Sequence, residues 1–297
     1  MLLLTPTHFP DYELIDCGDF EKLERFGKYI TIRPEPQAVW SRSLSLKEWE
    51  KMAHVKFKPT TSAAGDWQKI KEMPDRWNIE YKLKGAKKGE DERRIAFRLA
   101  LTSFKHVGIF PEQASNWDYI VECIGKMKTE QPKVLNLFAY TGGASLAAKA
   151  AGADVIHLDS VKQVVTWANA NMELSGLKDI RWIIEDAMAF VKKEVRRGKK
   201  YNGIILDPPA YGHGTEGQKW KLEEMISEMM DHVKNLLAEE DRFMILNTYS
   251  LGFSSLIIEN FFPAQKNLQT GELYLNATSG LKLPLGVFGR FCEIVPS

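Results

Sequence analysis

Between about residue 111 and residue 250 the hydrophobic pattern changes period repeatedly. Short apolar runs at 134–139, 155–158, 180–184, 203–206 and 243–248 alternate with helical patterns at 143–151, 161–174, 187–197 and 218–237. This alternation commits the segment to a parallel sheet, because each parallel strand needs a crossover and the crossover helices cover both faces. A helix at 117–128, with Trp117, Ile120, Val121 and Ile124 on one side, leads into the first strand. The ending breaks the rule. Strands at 272–278 and 287–294 have no helix between them, so they form a hairpin that adds an antiparallel strand at the sheet edge. The expected fold class is α/β, a doubly wound, mostly parallel sheet with a C-terminal antiparallel hairpin.

The first 110 residues read differently. Extended runs at 12–17, 29–33, 77–83 and 93–101 are separated by turn residues, and Lys84-Gly85-Ala86-Lys87-Lys88-Gly89 reads as a hairpin tip. Prolines at 6, 10, 34, 36, 59 and 74 disfavour long helices there. One short helix is expected at 45–53, where Ser45 and Glu48 have the spacing of a capping box. Two parts are therefore expected: a small strand-rich N-terminal domain over 1–110, a candidate for substrate recognition, and a catalytic domain over 111–297.

Charge and cysteine usage exclude several classes. Lys+Arg 40 against Asp+Glu 39 gives a net charge of +1, which rules out a polycation that coats nucleic acid by bulk charge. The split is mild, with 20 basic and 17 acidic residues through Ser115 and 20 and 22 afterwards. No apolar run approaches the roughly 20 residues of a membrane helix, and the Met1-Leu2-Leu3-Leu4 start lacks a basic region. Cys17, Cys123 and Cys292 lie far apart, so neither a disulfide framework nor a metal site is expected, and the location expected is cytoplasmic.

In an open parallel sheet, ligands bind beyond the carboxyl ends of the strands. The first strand runs into Phe138-Ala139-Tyr140-Thr141-Gly142-Gly143, where two glycines permit close backbone approach. The G-x-G-x-x-G pattern of a dinucleotide cradle is absent. The second strand ends at Asp159, whose carboxylate suits the two hydroxyls of a ribose, and the third leads into Glu185-Asp186-Ala187, where a carboxylate suits an adenine amino group. Either aspartate serves equally as a helix N-cap. The fourth strand ends in Asp207-Pro208-Pro209-Ala210-Tyr211. There the prolines fix a turn, their carbonyls stand beside a carboxylate, and the tyrosine ring offers a stacking face.

Together these segments resemble the class I S-adenosylmethionine-dependent methyltransferases, and more narrowly the bacterial 23S rRNA large-subunit methyltransferase I/K-like group, over about 106–250. The resemblance implies a seven-stranded Rossmann-like sheet and S-adenosylmethionine as cofactor. It implies that Phe138, Ala139, Tyr140, Thr141, Gly142 and Gly143 wrap the methionine part, that Asp159 holds the ribose and Asp186 the adenine, and that Ser160 and Ala187 flank the nucleoside. Asp207 and Pro208 would face the methyl group, with Gln113 closing the pocket. Asp207, Pro209 and Tyr211 are the expected catalytic residues, and Tyr249 helps to shape the acceptor pocket. A separate RNA-binding PUA module is not expected ahead of this part.

One departure from the group bears on chemistry. Members that methylate cytosine carbon 5 carry a cysteine after the fifth strand, for covalent attack on the base. Here the segment reads Asn247-Thr248-Tyr249-Ser250, so transfer to nitrogen or oxygen is expected, with Asp207 as the favoured proton acceptor. Structured RNA, most readily rRNA, is the expected partner; the alternatives are a small-molecule or protein acceptor, or RNA binding without catalysis. His213, in a glycine-flanked loop, reads as part of a lid rather than as a base. Lys84, Lys87, Lys88, Arg93 and Arg94 form a basic cluster interrupted by Glu90, Asp91 and Glu92, as consistent with a solvated hairpin as with a phosphate contact. Trp220, Met225 and Met229 read as core.

Overall fold

The computed structural model describes residues 1–61, 64–84, 93–250, 252–263 and 265–295. Its first third contains β1 (Leu2–Leu4), β2 (Tyr12–Gly18), β3 (Glu21–Phe26), β4 (Tyr29–Pro34), α1 (Leu46–Met52), β5 (Val55–Pro59), β6 (Gly65–Lys69), β7 (Arg76–Lys82) and β8 (Arg94–Ala100). Strands β2 to β6 form a five-stranded sheet in sequence order, and β7 pairs with β8. The capping box forms as read: Ser45 accepts from the Glu48 N–H, and the Glu48 carboxylate accepts from the Ser45 N–H at 2.8 Å. The expected tip between β7 and β8, with Lys87 and Lys88, falls in 85–92, outside the described residues.

A 3-10 turn (Pro111–Gln113) leads into α2 (Ala114–Lys126), and the alternating part follows: β9 (Lys133–Leu137), α3 (Gly143–Ala150), β10 (Asp154–Asp159), α4 (Lys162–Leu174), β11 (Ile180–Ile184), α5 (Ala187–Arg196) and β12 (Gly203–Leu206). Then come β13 (Tyr211–His213), β14 (Lys219–Lys221), α6 (Leu222–Leu236), β15 (Arg242–Thr248), α7 (Ser255–Asn260), β16 (Gln269–Asn276) and β17 (Lys282–Glu293). The large sheet runs β1-β16-β17-β15-β12-β9-β10-β11. Its seven expected strands are present, with β17 antiparallel to both neighbours. An eighth, β1, adds to the far edge parallel to β16. That apolar triplet was too short to read as a strand.

The sheet is apolar on both faces, and its residues alternate between two cores. Val134, Ile205, Phe243 and Ile245 pack on one side with α2, α3 and the β7–β8 pair. Leu135, Leu137, Ile204, Leu206, Met244 and Leu246 pack on the other with α5 and α6. Trp220 and Met229 are buried in the second core, as expected, while Met225 is half-buried against it. The helix expected from residue 218 begins only at Leu222, because Lys219, Trp220 and Lys221 alternate outward, inward, outward as β14, paired with β13.

The N-terminal sheet is tied to the rest by polar contacts. Asp16, wholly buried, accepts from the N–H groups of Cys17, Ser43 and Leu44, from the Trp49 indole at 2.9 Å and from the Ser279 hydroxyl at 2.8 Å. These donors hold its carboxyl below its ordinary range although burial alone would raise it. The free edge of β8 is closed by α4, where Asn171 accepts the Arg98 N–H and the Trp167 indole donates to the Arg98 carbonyl.

Candidate active site

From β9 the chain first builds outward to β10 and β11, then returns to place β12 on the other side of β9. Loops that leave β9 and β12 therefore diverge and open a crevice at the strand ends. A cleft of about 840 Å³ occupies it, within the range that holds a cofactor-sized ligand. Its floor and walls include Phe138 and Tyr140 after β9, Asp159 and Ser160 after β10, Asp186 and Ala187 after β11, and Asp207, Pro208, Pro209 and Tyr211 after β12. Gln113 lines it from the 3-10 turn. Ala139, Thr141, Gly142 and Gly143 instead line a small adjoining cavity of about 50 Å³, which shares Gln113, Phe138, Tyr140, Asp207 and Asn247 with the cleft.

The loop after β9 is held in a conformation that few residues tolerate. Phe138 and Tyr140 have φ of 56° and 50°, and Gly142 has φ of 94°. Non-glycine residues in this region cost roughly 1–3 kcal/mol each and persist where surroundings impose them. Here the Ala139 N–H donates to the Leu158 carbonyl and the Tyr140 N–H to Asp159 Oδ2, both at 3.0 Å. Thr141 donates to the Gly108 carbonyl at 2.7 Å, and Asn171 donates to the Thr141 carbonyl at 3.0 Å. Gly143 is required for packing rather than for ligand approach: a Cβ there would stand 2.6 Å from the Trp117 ring.

The carboxylates at the strand tips differ in environment. Asp159 takes the Tyr140 and Val161 N–H groups on its two oxygens; burial still raises its carboxyl above the ordinary range. Each oxygen keeps a lone pair for a further donor. Asp186 is the N-cap of α5, with Oδ1 accepting the Ala189 N–H at 2.8 Å, and it also lines the cleft. The capping and ligand readings of this residue are thus compatible. At Asp207, Oδ1 accepts from Asn247 at 2.8 Å and Oδ2 from Gln113 at 3.3 Å, while burial pushes the carboxyl up to about 6. The Asn247 Oδ1 is buried without a partner, an acceptor at the cleft floor suited to an N–H or O–H from a ligand.

One expectation about the β12 loop changes. The Pro209 carbonyl, expected to be open to a ligand, accepts the Trp220 indole N–H at 2.7 Å. His213 sits in the β13–β14 hairpin, exposed and edge-on to Tyr211, and its carbonyl accepts from the Ser160 hydroxyl at 3.0 Å. Ser160 therefore pins the hairpin across the β10 end of the cleft.

Sequence reading missed a charged part of the cleft wall. Lys22, Arg33, Glu35, Lys105, His106 and Glu112 line the same cleft. Arg33 pairs with Glu24 (Nε 2.8 Å), Lys22 bridges Glu24 and Glu35 (3.5 and 3.2 Å), and the Tyr249 hydroxyl donates to Glu35 at 2.5 Å. This ionic network is assembled from two strands of the N-terminal sheet. Of these residues only Arg33 lies in a run that reads as extended in sequence.

Comparison with known proteins agrees with this geometry. The family model for S-adenosylmethionine-dependent methyltransferases matches residues 85–259. The crystal structure of the SAM-dependent methyltransferase from Agrobacterium tumefaciens is 34% identical, with a TM-score of 0.88 over 98% of this chain and 93% of that one. SMU.776, crystallised in complex with SAH, shares the fold at 17% identity and a TM-score of 0.70, over 94% of this chain and 75% of that one. Two curated relatives are ribosomal RNA large subunit methyltransferases K/L. The one from Shewanella frigidimarina is 28% identical over 59% of this chain, and the one from Shewanella baltica 30% identical over 48%. The chain spans only 26% and 18% of their lengths.

Proposed function

The chain belongs to the S-adenosylmethionine-dependent methyltransferase family, and from that premise we propose that it methylates a nitrogen or oxygen atom of ribosomal RNA in the cytoplasm. The cofactor supplies a methyl group already activated on a sulfonium sulfur, so the protein's task is position and a fitted nucleophile. In this reading the 138–143 loop takes the methionine part, Asp159 the ribose and Asp186 the adenine amino group. Asp207, held by Asn247 and Gln113, accepts a hydrogen bond from the acceptor and turns its lone pair toward the methyl. Tyr211 and Tyr249, both exposed at the cleft, supply stacking faces for a base. Residues 1–110 act as the substrate-recognition part, since their ionic network forms part of the cleft wall.

The carrying observation is the convergence of Asp159, Asp186 and Asp207 from three strand ends on one cleft. None of the three cysteines lines it, which supports transfer without a covalent base adduct. The relatives' names support rRNA as acceptor. Transfer of tritium from methyl-labelled cofactor to unmodified rRNA and to a small-metabolite pool tests both parts. Label in RNA, found in a nucleoside methylated on nitrogen or oxygen, is expected. Label in metabolites alone removes the RNA assignment, and label in 5-methylcytosine removes the chemistry.

A further inference from the structure

Glu112 is a carboxylate for which the fold has no evident structural use. It sits in the 3-10 turn (Pro111–Gln113), is 6% exposed, and lines the cleft. Among the described residues no side chain forms a hydrogen bond or ion pair with it; the donor it has is its own backbone N–H. Every other acidic side chain lining the cleft from the N-terminal sheet or the strand ends has a partner: Glu35 has Lys22 and Tyr249, Asp159 has two backbone N–H groups, Glu185 has Lys193, Asp186 caps α5, and Asp207 has two amides. A carboxylate in the cleft wall whose one donor is its own backbone N–H keeps acceptor capacity that no side chain of the fold uses.

The neighbouring residue ties this carboxylate to the site. Gln113 holds Asp207, so the turn that carries Glu112 is registered on the acceptor-facing carboxylate. Charged and titratable groups act on Glu112 from four elements: Tyr12 on β2, Lys22 and Glu24 on β3, and Asp207 and Tyr249 at the ends of β12 and β15. Asp207 has an amide N–H on each oxygen, which fixes its orientation and favours its ionised form. Glu112 has only its own backbone N–H and no side-chain donor. Two carboxylates in one cleft with different environments divide the work of orienting an acceptor and taking its proton.

We propose that Glu112, rather than Asp207, is the proton acceptor of the transfer. This rests on the reading of the cleft as a site for methylation at nitrogen or oxygen. The acceptor's lone pair forms the new bond to the methyl carbon, and the carbon–sulfur bond breaks with its electrons left on sulfur. The proton released by the acceptor passes to a Glu112 carboxylate oxygen and from there to solvent. Burial, the largest influence, pushes this carboxyl up to about 7, where a base is half ionised at neutral pH and best matched to its task.

The test compares wild type, Glu112→Gln and Glu112→Asp by three readouts: calorimetric binding of S-adenosylhomocysteine, the pH profile of single-turnover methyl transfer to rRNA, and the carboxyl infrared band. Wild-type transfer is expected to rise through about pH 7. Glu112→Gln should bind the nucleoside product within threefold of wild type and lose transfer by about 10²–10⁴-fold, together with that rise. Glu112→Asp should recover part of the rate. The infrared difference between wild type and Glu112→Gln should show one carboxyl that titrates near neutrality. Glu112→Gln that transfers within threefold of wild type with the same pH profile overturns the role, and so does loss of product binding in that variant. Wild-type protein that labels neither rRNA nor metabolites removes the reading of the site itself, a separate failure.

Discussion

At the scale of single residues, Asp207 shows how a site costs stability. An ordinary aspartate titrates near 3.9, and here burial raises the carboxyl to about 6. The native state therefore prefers the protonated form, and the ionised group subtracts stability above about pH 6; that penalty disappears as pH falls toward 4. Asp207→Asn should raise the melting temperature at pH 7.5, on the order of 1–3 kcal/mol of added stability, with no difference left at pH 4, while methyl transfer is lost. Thermal melts of the two proteins at both pH values check this, and a variant that melts below wild type at pH 7.5 contradicts it. Asp159, Asp186 and Asp207 were legible in sequence because a polar residue that ends an apolar strand stands at the ligand end of a parallel sheet. Glu112, Lys22 and Glu35 were not. Lys22 and Glu35 reach the cleft through tertiary packing of a separate sheet and Glu112 through the 3-10 turn, and no periodicity records either.

At the scale of elements, the alternating part was legible and the exceptions have local causes. The strands declared themselves because both faces are buried, which makes them near-continuous apolar runs. Strand β14 was read as the start of the helix because Lys219-Trp220-Lys221 is too short for its two-residue period to stand out beside a long amphipathic helix. The left-handed backbone at Phe138 and Tyr140 left no composition signal either, since neither residue is a glycine. Glycine positions test the packing account. Gly143→Ala places a Cβ 2.6 Å from Trp117 and should destabilise by about 1–3 kcal/mol through overpacking. Gly125→Ala, in α2 with nothing within 4 Å of the added carbon, should stabilise by up to about 1 kcal/mol. Chemical denaturation of both variants measures the contrast; equal effects would remove the explanation of the second glycine in the loop.

At the scale of the whole molecule, the near-neutral charge hides a functional arrangement. The cations and carboxylates of β3 and β4 pair with each other inside the fold, so the N-terminal part contributes a charged wall to the cleft without making the protein basic. Tyr249 joins that wall to the end of β15, two residues beyond the Asn247 that holds Asp207. In the proposed reading, cofactor site and acceptor wall share one cleft, lined from both the N-terminal sheet and the large-sheet strand ends, among described residues that include no helix long and apolar enough to cross a membrane. Calorimetric titration with S-adenosylmethionine, in wild type and in Asp159→Ala, tests this account most directly. It predicts one site with micromolar to submillimolar affinity, weakened roughly 10- to 150-fold in the variant by loss of charged hydrogen bonds; folded wild-type protein that binds no cofactor, or a variant that binds as well as wild type, would contradict it.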